Sequence, residues 1–230
     1  MRIGVARDVL EHGISDEVRA GIETSIAALK DAGHEIVDVA LPHAKYAISI
    51  YYLIAPAEAS SNLARFDGIR YGLRAPGNSL IDSYEKTRSQ GFGPEVQRRI
   101  MLGTYALSSG YYDAYYIKAQ KARTRIREDF IEAFSRCDVI LTPTTPTTAF
   151  SLGEKTSDPM AMYAADICTL PASLAGVPAL STPCGLGDSG LPIGVQLTAF
   201  DLQESKLFQV ARDIEARCAI GAPARFEVTS

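Results

Sequence analysis

The chain has 230 residues, 47% of them hydrophobic and 22% charged. At about 150 residues per domain that is roughly one and a half domains, enough for a core without disulfide or metal staples. The composition excludes a disordered, collagen-like or low-complexity chain, and 27 acidic against 23 basic residues leave a net charge of -4 that marks neither a nucleic-acid nor a membrane surface.

No apolar run reaches the ~18 residues of a membrane helix, and Met1-Arg2-Ile3-Gly4-Val5 does not open a signal peptide. Cys137, Cys168, Cys184 and Cys218 are widely spread with no C-x-x-C pair, so they read as small core residues in a reducing cytoplasm. His12, His34 and His43 lie early, in turn-like settings, which argues against a histidine triad or a metal centre.

In chain order, 2–6 reads as a strand. Ser15 caps a helix with acids in its first turn and Val18, Ile22, Ile26 and Leu29 at helical spacing, and Gly33 ends it. A second strand follows over 35–41, giving a β-α-β unit with a parallel pair. The segment 43–136 is mainly helical: one helix over 44–66 interrupted near Pro56, breakers from Gly68 to Asn78, a helix starting at Pro94, a break at Gly110 and a helix over 111–135. A buried strand over 138–142 runs into Pro143-Thr144-Thr145-Pro146. A helix or helix pair broken at Pro171 covers 158–175, strands cover 179–184 and 193–197, and an amphipathic helix covers 202–217. The fold class is therefore α/β with a long helical segment in the middle.

Four stretches could carry chemistry. The helix around Glu58-Ala59-Ser60-Ser61-Asn62, with Tyr51 and Tyr52 upstream, is either a close-packing helix or a pocket wall. On the helix from Pro94, Arg99 shares the face of Val96 and Ile100, while Arg98 falls toward Leu102 and Tyr105. An inward arginine needs an anionic partner, either an internal acid or a substrate carboxylate. The hydroxyls after the buried strand at Thr142 lie where open α/β sheets hold ligands, or form a rigid loop. Asp166, among small apolar residues, is a helix cap, the partner of a core arginine, or the receiver of a ligand ammonium. No G-x-S-x-G elbow, Gly-rich phosphate loop, H-E-x-x-H or S-x-x-K occurs, so no nucleophile with an activating base can be named.

These same stretches carry a resemblance. Residues 51–72, with the run Glu58-Ala59-Ser60-Ser61-Asn62, and residues 91–100, 107–116 and 141–146 resemble the A subunits of glutamyl-tRNA(Gln)/aspartyl-tRNA(Asn) amidotransferases. Residues 174–179 and 190–197 are shared with amidase-signature enzymes generally. The resemblance extends from about Arg2 to about Arg217 and implies a mixed central sheet ringed by helices, with 1–230 as a C-terminal portion of an amidase-signature domain. It implies glutamine hydrolysis by a serine nucleophile with a cis-serine and a lysine. It also implies the B and C subunits of a heterotrimer as partners, one of which uses ATP and magnesium to amidate misacylated tRNA. By the same resemblance Tyr51, Arg99 and Asp166 hold glutamine, Arg99 at its carboxylate and Asp166 at its amino group. The family's lysine and Gly-Ser-rich signature have no counterpart among these 230 residues, so no catalytic residue is assigned and the chain alone is expected to be inactive. Two other readings stay open: the corresponding part of a general amide hydrolase, and a non-catalytic binding or scaffold module.

Overall fold

The computed structural model describes residues 1–11, 13–155 and 158–218, so His12 lies outside the described residues. Contacts divide the chain into two units, one of residues 1–48 with the chain from 124 onward, the other Ser49–Arg123.

The first unit opens with β1 (Arg2–Ala6), a single turn α1 (Arg7–Leu10), α2 (Asp16–Asp31) and β2 (Glu35–Val39). Ser15 Oγ accepts the N–H of Val18 at 3.4 Å, and Asp16, Glu17 and Lys30 oppose the helix dipole at the correct ends. Val18, Ile22, Ile26 and Leu29 are buried on one stripe of α2. Gly33, at φ +85°, reverses the chain into β2, which pairs parallel to β1 from Arg2 opposite Glu35 to Ala6 opposite Val39. The strand expected over 35–41 stops at Val39, because the Leu41 N–H turns to Asp8 Oδ2 at 2.7 Å instead of extending the ladder.

The second unit holds α3 (Ala47–Asn62), α4 (Leu80–Gly91) and α5 (Pro94–Ala106). Ile50, Ile54 and Ala57 are buried on α3, and Pro56 stands inside it, withholding a hydrogen bond from the turn before. The small residues of this helix admit a close neighbour: a methyl group at Gly103 of α5 would collide with the Pro56 carbonyl and with Ser60 Cβ. Helix α4 was not expected. Only Thr87 is buried on it, so no apolar stripe marks it, but Ser79 Oγ accepts the Asp82 N–H at 3.1 Å and Asp82 Oδ2 accepts the Asn78 N–H at 2.7 Å.

A π-helical turn at Tyr112–Ile117 stacks Tyr112 on Tyr116 (centroids 5.4 Å apart, planes at 28°) and leads into α6 (Lys118–Arg136). Back in the first unit come β3 (Val139–Pro143), α7 (Pro159–Ala164), α8 (Leu170–Ala175), β4 (Ala179–Leu186), β5 (Pro192–Ala199) and α9 (Glu204–Arg217). Pro171 does not break a helix; it sits in the first turn of α8, where its missing N–H costs nothing, and Gly176 at φ +69° ends that helix.

The sheet order is β2-β1-β3-β5-β4, with β1 parallel to β2 and β3, and β5 antiparallel to β3 and β4. Ile3, Val5, Val139, Leu141, Val195 and Leu197 alternate onto one face and pack with Val18, Ile22 and Leu29 of α2 and Leu207, Val210 and Ile214 of α9. By the same alternation Thr142, Gln196 and Thr198 occupy the other face, all buried. This is a mixed sheet with helices around it, as the resemblance implies.

Candidate functional site

In the helical unit, Pro94 and Glu95 open α5, and Arg99 falls one turn after Glu95. Arg99 Nε donates to Glu95 Oε1 at 2.9 Å, and Arg98 Nη1 donates to Glu95 Oε2 at 2.6 Å. Of the two partners open to Arg99, the internal acid is thus present, and it is Glu95. The Arg99 guanidinium carbon also lies 5.9 Å from the Tyr52 ring centroid, and Tyr51 meets Tyr52 edge to face at 5.0 Å. Burial, the largest influence, pulls the Arg99 pKa down. The Glu95 hydrogen bond and the neighbouring Tyr51 and Tyr52 outweigh it, and the net shift is upward. The guanidinium therefore stays charged. Its bond to Glu95 is made through Nε, which leaves the Nη donors of the planar fork for a ligand carboxylate. Arg98 is exposed and pairs with Glu95 instead of turning inward.

The polar atoms near the end of α3 mostly join helices to each other. Tyr116 Oη donates to Glu58 Oε1 at 2.6 Å and accepts from Gln120 Nε2 at 2.9 Å, and Ser60 Oγ meets Thr104 Oγ1 at 2.8 Å. The hydrogen bond to Glu58 raises the Tyr116 pKa.

In the sheet unit, Asp166 occupies the turn between α7 and α8. Its carbonyl accepts the N–H groups of Thr169 and Leu170, each at 3.1 Å, while its carboxylate is exposed and engages no described residue. It is therefore neither a side-chain helix cap nor the partner of a core arginine. Arg127 of this unit is engaged elsewhere, donating to the Ala175 carbonyl at 2.6 Å and to Asp201 at 2.7 Å. Below the turn, Cys168 is buried in the core, and burial pushes its thiol up to about 12. The Cys168 carbonyl accepts from Gln196 Nε2 at 3.0 Å, and the same nitrogen donates to Thr142 Oγ1 at 3.0 Å. Reading the sequence did not single out Gln196, although a long polar side chain between Val195 and Leu197 of a buried strand was a signal.

Next to this turn lies a cavity of about 430 Å³ lined by Asp8, Glu11, Leu41, Lys45, Ile167 and Cys168 among others. It lies where the chain leaves the carboxyl ends of β1 and β2, the place at which open α/β sheets hold ligands. The hydroxyls after β3 are engaged internally: Thr144 Oγ1 with Ser181 Oγ at 2.7 Å, and Thr145 Oγ1 with the Thr147 carbonyl at 2.8 Å. That stretch is a tied-down loop.

Of the three glutamine-site candidates, Tyr51 and Arg99 stand together in the helical unit and Asp166 stands in the sheet unit. His34 and His43 bond to Asp213 (2.9 Å) and Asp129 (2.8 Å). Among the described residues no group of three His, Cys, Asp or Glu could hold a metal ion, and no helix is long and apolar enough to cross a membrane.

The model of a family called Amidase matches residues 1–208. The chain is 57% identical over 210 residues to a Synechococcus protein, named as the A subunit of glutamyl-tRNA(Gln) amidotransferase; the match covers 91% of this chain and 41% of the relative. A protein of the same name from Koribacter versatilis is 57% identical over 216 residues, 94% of this chain and 45% of the relative. Among solved structures, the glutamyl-tRNA(Gln) amidotransferase A subunit from Thermotoga maritima superposes with a TM-score of 0.70 at 41% identity, over 94% of this chain and 42% of that one. A crystal structure described as an amidase shares the fold, with a TM-score of 0.70 at 24% identity over 94% of this chain and 45% of that one. The chain thus spans less than half the length of these relatives.

Proposed function

Because the chain belongs to the amidase family, we propose that it is the glutamine-holding, C-terminal portion of the A subunit of a tRNA-dependent amidotransferase working in the cytoplasm. The observation that carries this reading is the 57% identity to A subunits, against 24% for the structure described as an amidase.

On this reading glutamine is held by its two charges. Arg99, with its fork held ready by Glu95 and Tyr52, receives the α-carboxylate; Asp166 receives the α-ammonium; Tyr51 packs at the arginine side. A free amino acid needs both partners at once, and this explains a persistently charged guanidinium and a carboxylate that engages no described residue. A serine nucleophile, aided by a cis-serine and a lysine from the remaining length of the enzyme, opens the side-chain amide, and water completes its conversion to glutamate and ammonia. The ammonia would pass to the B and C partners, which would use ATP, with magnesium bound on that side of the complex, to activate the glutamyl group of misacylated tRNA(Gln), so that nitrogen would replace the activated oxygen.

No Gly-Ser-rich signature stands within the 230 residues. The purified chain should therefore release no ammonia from glutamine, whereas the assembled enzyme should convert Glu-tRNA(Gln) to Gln-tRNA(Gln) with glutamine and ATP. Serine-dependent glutaminase activity from the chain alone, or an assembled enzyme that hydrolyses simple amides but ignores glutamine, would overturn the reading.

A further inference from the structure

Among the described residues Asp166 has no side-chain hydrogen bond to hold it, so the position of its carboxylate depends on where the backbone of its turn stands. Hydrogen bonds within the turn are local: the N–H groups of Thr169 and Leu170 donate to the Asp166 carbonyl. The attachments of the turn to the sheet are the buried Cys168 side chain, the packed Ile167 and one hydrogen bond, from Gln196 Nε2 to the Cys168 carbonyl at 3.0 Å. Gln196 is 6% exposed and sits in β5, directly opposite Thr142 of β3. Its second amide hydrogen goes to Thr142 Oγ1 at 3.0 Å. A backbone carbonyl only accepts, so the amide must present its NH2 to Cys168, and the hydrogen bond to Thr142 sets how far that NH2 reaches.

We infer that Gln196, steadied by Thr142, is a positioning residue that sets the height of the Asp166 turn above the sheet and thereby the selectivity of the site for the α-ammonium of a free amino acid. This rests on the reading of Asp166 as the ammonium receiver. Gln196 touches no substrate; it acts through the Cys168 carbonyl two residues from Asp166. Replacing it by glutamate keeps the size and turns the donor into an acceptor, which sets two oxygens against each other and lifts the turn.

The test compares glutamine with glutaramate, the same amide without the α-amino group, as substrates of the assembled amidotransferase that includes this chain. Gln196→Glu should raise KM for glutamine roughly tenfold or more with kcat within about threefold of wild type, and leave KM for glutaramate within about twofold. Thr142→Val, which keeps the shape and removes one of the two hydrogen bonds, should show the same glutamine-only effect in weaker form, and Thr142→Ser should restore wild-type behaviour. If Gln196→Glu does not fold, Thr142→Val carries the test alone. Equal losses on both substrates, or no change on either, would overturn the positioning role. Asp166→Asn separates this from the reading beneath it. If that variant keeps the wild-type preference for glutamine over glutaramate, the ammonium assignment fails. If it loses the preference while Gln196→Glu and Thr142→Val keep it, only the positioning role fails.

Discussion

Replacing Gly103 by alanine places a methyl group where α5 lies against α3, and the obstacle is mainly backbone. The new Cβ would fall on the Pro56 carbonyl and within 2.7 Å of Ser60 Cβ. Two effects compete. Alanine is favoured over glycine in a helix interior by about 0.8–1 kcal/mol. Overpacking a tight contact costs about 1–3 kcal/mol, toward the upper end here because a carbonyl in a helix cannot rotate away. The net expectation is a loss of about 2 kcal/mol, or a melting temperature roughly 4–8 °C lower for a chain of this size. Circular dichroism during thermal and urea unfolding reads this directly. Gly91→Ala, at the end of α4, is the control: its Cβ would come no nearer than 3.6 Å to Leu73 Cδ2, an ordinary contact, and it should stay within about 1 kcal/mol of wild type. A Gly103→Ala chain as stable as wild type would refute the close helix crossing, and with it the support that α3 and α5 give to Tyr52 and Arg99.

Two further outcomes follow from the titratable groups. Asp138 has a depressed pKa, chiefly because the Arg2 N–H donates to it at 2.9 Å, with help from Lys206 at 3.3 Å. A carboxylate depressed in the fold contributes stability above its unfolded pKa and loses it as pH falls through the folded value. Asp138→Asn should therefore cost about 1 kcal/mol near pH 7, and its gap from wild type should close as urea midpoints are measured from about pH 4 downward; a gap independent of pH would contradict this. Burial raises the Cys137 thiol to about 11 and the Cys168 thiol to about 12, so both should resist a thiol reagent at pH 8 until the protein unfolds, while the half-buried Cys218 reacts first. Rapid labelling of Cys168 in the folded chain would count against its place in the core.

Much of the fold was legible because its signals are local. Ser15, the stripe from Val18 to Leu29 and Gly33 together spell a capped, amphipathic, terminated helix, and the strands on either side of it follow. Helix α4 was not, since it buries only Thr87 and lacks the periodicity that identifies helices; its sole marker was the Ser79–Asp82 cap. The sheet order was out of reach for another reason: β1 beside β3 joins residues more than 130 positions apart, and nothing local encodes that. At the site, Arg99 stood out as an inward cation from helical spacing, and the Glu95 pairing follows from the same spacing one turn earlier. Asp166 stood out for its company, but its exposure and its hold through Gln196 depend on packing between a turn and a strand, which no sequence window contains.

The placement of Arg99 at the glutamine carboxylate is tested most directly by changing the nitrogen donor. In the assembled amidotransferase, Arg99→Met should lower kcat/KM for glutamine roughly 10- to 100-fold, the equivalent of losing ~1.5–3 kcal/mol of charge-assisted hydrogen bonding. With ammonium chloride in place of glutamine, the same variant should amidate Glu-tRNA(Gln) at the wild-type rate, because ammonia bypasses the amino-acid pocket. Equal losses with both donors, or full activity with both, would contradict the placement of glutamine on this chain.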